Sequence, residues 1–220
     1  MIDLSSYNEL LEGIFMIRGV GLSSNVYILG KKKLTLIDAG VGDANNRLTH
    51  MFRGAGFDVR NVSAVVITHC HVDHVGGLSE LFRIAKPKLF IHSKEVNQIR
   101  ANVDADVVKL NEGDVVNTEI GPLTVLHTPG HTFGSICLYD GQRKILFSGD
   151  TVFAYGSFGR TDFSTGNDGD MLKSLVRLTG LEVDVLLPGH EDPVFKEAQS
   201  HIKHSQDNAR QMLRGAPNSL

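Results

Sequence analysis

The feature that most constrains this chain is the apolar run Ala64-Val65-Val66-Ile67, which leads without a spacer into Thr68-His69-Cys70-His71-Val72-Asp73-His74. A short continuous run of apolar, mostly β-branched residues predicts a strand covered on both faces, so the fold must supply a layer on either side of it. The residues that follow are of another kind. His69, His71, Asp73 and His74, all potential metal ligands, occupy six positions of a chain with only ten histidines in 220 residues. Alternation at a strand end can turn His69 and His71 to one side. A tight turn into a helix starting at Gly76-Gly77 can bring Asp73 and His74 to a neighbouring point. Imidazole nitrogens and carboxylate oxygens suit zinc, iron or manganese, and neutral imidazole binds them without an unusual pKa.

The same design recurs three times. His131 lies in the rigid turn Thr128-Pro129-Gly130-His131-Thr132, Asp150 follows Leu146-Phe147-Ser148-Gly149, and His190 follows Leu186-Leu187-Pro188-Gly189. Each is an apolar strand, a small or turn-forming residue, then a ligand type. Further strands are predicted over residues 14–18, 25–29, 34–37, 89–91, 123–126, 135–139, 145–147 and 185–187, from β-rich content bounded by Gly or polar turns. Helices are predicted over 44–54, 78–85, 93–101, 170–178 and 195–213. Strands interleaved with helices on this scale predict a layered α/β fold with a site on loops at strand ends. No linker or low-complexity stretch divides the chain, which predicts one domain over 1–220.

Composition narrows the partners. The formal net charge of −3 and the lack of a long basic run argue against a broad nucleic-acid footprint. No stretch has the apolar length of a membrane span. The opening Met1-Ile2-Asp3-Leu4 lacks the basic head and apolar region of a secretory signal. Two cysteines, Cys70 and Cys137, make no disulfide framework, so the expected setting is the reducing cytoplasm. Cys70, flanked by residues aimed at the metal, is expected to point away from it. His127 reads as a hydrogen-bonded structural residue. His201 and His204 read as surface residues of the last helix, and His50 and His92 show no partner pattern.

His-x-His-x-Asp-His followed in order by His, Asp and His resembles the metallo-β-lactamase superfamily, from about Asn25 to His190, and within it the small glyoxalase II-like enzymes. The resemblance implies an αββα sandwich of two mixed sheets flanked by helices. It implies that His69, His71 and His131 hold one divalent metal ion, that Asp73, His74 and His190 hold a second, and that Asp150 bridges them. Zinc is the expected metal, with iron or manganese as alternatives. Asp38, in Leu36-Ile37-Asp38-Ala39-Gly40, matches an aspartate that steadies the ligand loop. Two metals about 3.5–4 Å apart would lower the pKa of a shared water toward neutrality, giving a bridging hydroxide as nucleophile. Asp73 and Asp150 would be the catalytic carboxylates, with Asp73 orienting that hydroxide and handling its proton.

The stretch Gly156-Ser157-Phe158-Gly159-Arg160-Thr161-Asp162-Phe163 resembles an element of two subgroups, the glyoxalase II-like thioesterases and the mononuclear iron persulfide dioxygenases. Arg160 is a candidate for a substrate carboxylate or for a structural pair with Asp162, and Tyr155 is a second substrate-binding candidate. The expected activity is hydrolysis of a small thioester, acyl-glutathione or a relative, by a monomer or homodimer. The alternatives are a persulfide dioxygenase using His69, His131 and Asp150 alone, a lactonase or other ester hydrolase, and a metal-stabilised scaffold without turnover.

Overall fold

The computed structural model describes residues 1–99 and 105–213. Its strands form two mixed sheets. The first has seven strands in sequence order: β1 (Ile2–Asp3), β2 (Ile14–Ile17), β3 (Val26–Leu29), β4 (Leu34–Ile37), β5 (Val62–Ile67), β6 (Lys88–His92) and β7 (Val107–Leu110). It is antiparallel through β4 and parallel from β4 to β7. The second has five strands: β8 (Val115–Thr118), β9 (Gly121–His127), β10 (Ile136–Asp140), β11 (Ile145–Gly149) and β12 (Val185–Pro188). Only β11 and β12 are parallel in it. The helices are α1 (Leu48–Gly54), α2 (Val72–Val75), α3 (Leu78–Ile84), α4 (Asp168–Leu178) and α5 (Ala198–Met212).

The period-two alternation of strand side chains sorts the apolar residues into three layers. Tyr27, Leu29, Ile37 and Val66 of the first sheet meet Val125, Leu138, Phe147 and Leu187 of the second in a core between the sheets. The neighbours Ile28, Leu36, Val65 and Ile67 face outward onto Leu48 and Phe52 of α1 and Leu78 and Leu81 of α3. On the other side, Cys137, Leu146 and Leu186 pack against Met171 and Leu175 of α4 and Ile202 of α5. The result is the αββα sandwich. Each large apolar side chain buried this way contributes about 1.5–3 kcal/mol, which is what fixes the register of each strand.

Several elements depart from the sequence-based boundaries. The helix expected over 44–54 begins only at Leu48. Asp43 Oδ1 accepts from the backbone N–H groups of Asn45 and Asn46 and so holds 43–46 in a turn. Glu80, from α3, then caps the helix by accepting from Leu48 N at 3.0 Å. In place of the helix over 93–101 the described part has turns and one 3-10 turn, Val96–Gln98, which ends where Ile99 takes an extended backbone; Arg100 and Ala101 lie outside the described residues. The last helix starts at Ala198 rather than 195, after Val194 bridges to Leu186 and Glu197 takes a left-handed φ of 56°. The turn after β5 becomes helical at Val72, ahead of Gly76-Gly77. The short strands β1, β7 and β8 were not anticipated; β7 and β8 alternate exposed with buried positions, a weak signal over four residues.

Candidate metal centre

The seven residues singled out by pattern come from both sheets and meet at one end of the sandwich. His69 and His71 leave the end of β5, and the helical turn α2 lifts Asp73 and His74 beside them. His131 stands in the β9–β10 loop, while the parallel pairing of β11 with β12 places Asp150 and His190 side by side. Gly189 N donates to Gly149 O at 2.8 Å to close that pair. Gly189 is required there, because a Cβ would overlap the Asp150 carboxylate and the His74 ring. From the opposite sheet, Tyr27 Oη donates to Pro188 O at 2.8 Å, and Asn25 Nδ2 donates to Pro188 O and Glu191 O, both at 3.1 Å. The loop carrying His190 is thus held by β3.

Two sets of three donors result. His71 Nδ1 lies 3.1 Å from His69 Nε2 and 2.9 Å from His131 Nε2. His190 Nε2 lies 3.0 Å from Asp73 Oδ2 and 3.3 Å from His74 Nε2. Asp150 reaches both sets: Oδ1 is 3.4 Å from His74 Nε2, and Oδ2 is 3.6 Å from His131 Nε2 and 3.5 Å from His190 Nε2. The donor atoms of His69, His71 and His131, of Asp73, His74 and His190, and of His69, His74 and Asp150 each fall within 4.8 Å of one another.

The far nitrogens fix which lone pairs face inward. His131 Nδ1 is 2.7 Å from the Arg160 carbonyl, and His74 Nδ1 is 2.7 Å from Asp38 Oδ2. Both partners only accept, so each Nδ1 carries a hydrogen, and Nε2 is left as the atom that presents a lone pair to the centre, in His131 directly and in His74 when a cation displaces its proton. Asp38 also accepts from Thr68 N at 2.8 Å and Thr68 Oγ1 at 2.9 Å, and Thr68 Oγ1 in turn stands 3.2 Å from His69 Nδ1. Asp38 is buried and holds a left-handed φ of 60°, a conformation an aspartate tolerates better than most residues.

Electrostatics suit the cluster to a cation. Burial holds His69 well below the ordinary imidazole pKa, helped by the neighbouring histidines, and burial lowers His71 and His131 as well, which favours the neutral rings a metal ion can bind. Asp73 is held at about 2: burial opposes ionisation, but the hydrogen bond from His190 and the charge of His74 outweigh it. Asp150 is also lowered, burial again being outweighed by His74. Burial likewise works against a charge on His74, yet Asp150 and Asp38 raise its pKa well above the ordinary value. The carboxylates thus demand positive charge. Asp150 Oδ1, moreover, is buried without a hydrogen-bond partner, a costly state for a carboxylate oxygen unless a cation answers it. A divalent cation fits each set of donors.

Around the seven, the loop 159–163 acts mainly through its backbone and its aromatic ring. Arg160 pairs with Asp162 at 2.7 Å in solvent, and its guanidinium lies 4.9 Å from the Phe163 ring centroid. Phe163 stands edge-on to His71 and His131 at 4.7 and 5.4 Å. Tyr155 is exposed, with its N–H donated to His201 Nδ1 at 2.9 Å. His127 Nε2 is 3.0 Å from the Phe133 carbonyl, and His127 stacks on His92 at 4.2 Å, a pairing across loops that no local pattern signals. The Cys70 thiol turns from the centre toward Glu95 O at 3.4 Å, and burial pushes its pKa well up.

One residue was missed altogether. Glu95 is buried, and its carboxylate accepts from Cys70 N at 3.2 Å, Thr132 Oγ1 at 2.6 Å and Gly134 N at 3.1 Å. It therefore ties the loop of His69 and His71 to the loop of His131. A single Glu between unremarkable neighbours gives no signal of this in sequence. Glu95→Ala leaves two buried amides unpaired and is expected to cost about 2–4 kcal/mol in thermal unfolding. Glu95→Gln, which keeps one acceptor, is expected to recover part of that loss. Equal melting of all three proteins would contradict this role.

A family model described as the metallo-beta-lactamase superfamily matches residues 19–190. The probable metallo-hydrolase MJ0888 of Methanocaldococcus jannaschii is 31% identical over 86% of this chain and 98% of its own length. The acyl-coenzyme A thioesterase MBLAC2 of Homo sapiens is 30% identical over 91% of this chain and 88% of its own. Among solved structures, the metallo-beta-lactamase family protein TTHA1429 of Thermus thermophilus superposes with a TM-score of 0.79, at 22% identity, over 93% of this chain and 82% of that one.

Proposed function

We propose, from the premise that this chain belongs to the metallo-β-lactamase superfamily, that it is a metal-dependent hydrolase acting on a small thioester, acyl-glutathione or acyl-coenzyme A. The observation that carries the reading is the convergence of all seven donors with Asp150 between the two sets. The thioester is supported by the similarity to MBLAC2, an acyl-coenzyme A thioesterase.

His69, His71 and His131 would hold one cation, Asp73, His74 and His190 the other, and Asp150 would contact both. When bound, divalent ions supply Lewis acidity that polarises a carbonyl and makes water acidic enough to ionise near neutral pH. The protein contributes orientation and charge. Asp73 is ionised and partly open to solvent, so it can accept a hydrogen bond from an incoming water and hold it in line with the carbonyl carbon. Asp38 and the Arg160 carbonyl keep His74 and His131 from rotating. Phe163 covers the outer face of His71 and His131 and limits solvent there.

The test is a panel of lactoylglutathione, acetyl- and octanoyl-coenzyme A, a lactone and glutathione persulfide, assayed with zinc, iron or manganese at measured stoichiometry. Thioester turnover with two metal ions per chain is the expected result. Oxygen uptake on the persulfide with a single iron would replace this reading with the dioxygenase.

A further inference from the structure

We propose that the groove beside His71 receives the acyl chain of the substrate and selects uncharged acyl groups of medium length; this rests on the thioesterase reading. The groove encloses about 500 Å³, far more than an acetyl or lactoyl group fills and within the range of small-molecule sites. His71 and Thr132 form its end at the metal centre, and Cys70, Val72, Val75 and Phe133 give it apolar walls. The rest of the lining is Gly, Ser, Thr and Gln, apart from Glu95. The Glu95 carboxylate accepts from Cys70 N, Thr132 Oγ1 and Gly134 N, so its oxygens are engaged by the walls, and the negative charge it brings disfavours an anionic group in the groove.

Which end of a thioester enters follows from charge. Coenzyme A carries phosphates and glutathione carries carboxylates, and binding either would call for Lys or Arg. No Lys or Arg lines this groove among the described residues. An alkyl chain needs none. With the thioester carbonyl beside His71, the chain would run past Val72 and Val75 toward Phe133, and the anionic thiol carrier would stay outside. Val72 is an apolar side chain left 68% exposed next to the centre; a chain lying on it would remove that surface from water. The Cys70 thiol, turned toward Glu95 O, serves here only as part of the apolar wall.

The experiment measures kcat/KM of the metal-loaded full chain for acetyl-, butanoyl-, hexanoyl- and octanoyl-coenzyme A, and octanoate binding by calorimetry. A rise of about two- to fourfold per methylene is expected, the upper figure corresponding to complete burial. Val72→Asp, on an exposed side chain, is expected to lower the octanoyl-to-acetyl ratio at least tenfold and to weaken octanoate binding, with melting unchanged. A ratio near one in the wild type, or a ratio unmoved by Val72→Asp, would overturn the proposal. Octanoate binding that Val72→Asp abolishes, in a protein that turns over no thioester, would support the groove and sink the thioesterase reading instead.

Discussion

Asp150→Asn is expected to lower kcat/KM on any substrate of this chain by about 10³-fold or more while leaving the fold intact. The substitution is nearly isosteric, so the packing between β11 and β12 need not move. What changes is charge. Asp150 stands between the two donor sets and reaches both, and it brings a buried oxygen with no hydrogen-bond partner of its own. An amide in its place supplies one weaker acceptor and two hydrogens aimed at lone pairs of His74, His131 or His190. Loss of several kcal/mol of electrostatic stabilisation corresponds to the stated rate factor. Metal analysis of the purified variant is expected to give fewer than two ions per chain, with an unchanged circular dichroism spectrum. A variant that retains both ions and wild-type turnover would remove Asp150 from the mechanism.

Asp38→Asn is expected to weaken metal retention about 10- to 100-fold, although Asp38 touches no donor position directly. Its carboxylate serves three donors, Thr68 N, Thr68 Oγ1 and His74 Nδ1. An asparagine cannot serve all three. If the amide nitrogen faces Thr68 N, two donors collide in a buried place, at a cost of about 1–3 kcal/mol. If it faces His74, then His74 Nδ1 must accept, its hydrogen moves to Nε2, and that hydrogen points where a cation would sit. Asparagine tolerates the left-handed backbone at this position, so the effect is one of hydrogen bonding and not of strain. Competition against a chelator of known affinity measures the loss. Identical retention in the variant and the wild type would mean that Asp38 does not set the His74 tautomer.

The centre was largely legible in sequence, because each of its parts announces itself locally. A dense cluster after an apolar strand marks His69 to His74, and an apolar strand ending in a small residue marks Asp150 and His190. The layering was legible for a related reason, since the continuous apolar run Ala64–Ile67 calls for a strand covered on two faces, whereas the αββα sandwich itself was implied by the resemblance to the superfamily. The pattern could not reveal contacts made across long separations. Glu95 reaches Thr132 and Gly134 over almost forty residues of chain. Helix α1 starts late for a similar reason: Asp43 holds Asn45 and Asn46 in a turn ahead of it, and its first N–H, that of Leu48, is answered by Glu80 from a different helix. Arg160 was singled out for its guanidinium, whereas the atom that touches the centre's ligands is its carbonyl oxygen, which every residue type possesses.

The two sheets contribute unequally to the cluster, with His69, His71, Asp73 and His74 following β5 and His131, Asp150 and His190 following strands of the other sheet. A bound pair of cations would therefore act as a staple across the seam of the sandwich, closing loops of the order of one hundred residues. Each set takes two donors from the segment after β5 and one from the other sheet, so both sets are complete only once the halves have docked. Prying the layers apart would in turn require releasing the ions. Persistence of the loaded protein at high temperature would then be governed by how fast it gives up metal, and a chelator would shorten its lifetime without altering a single apolar contact.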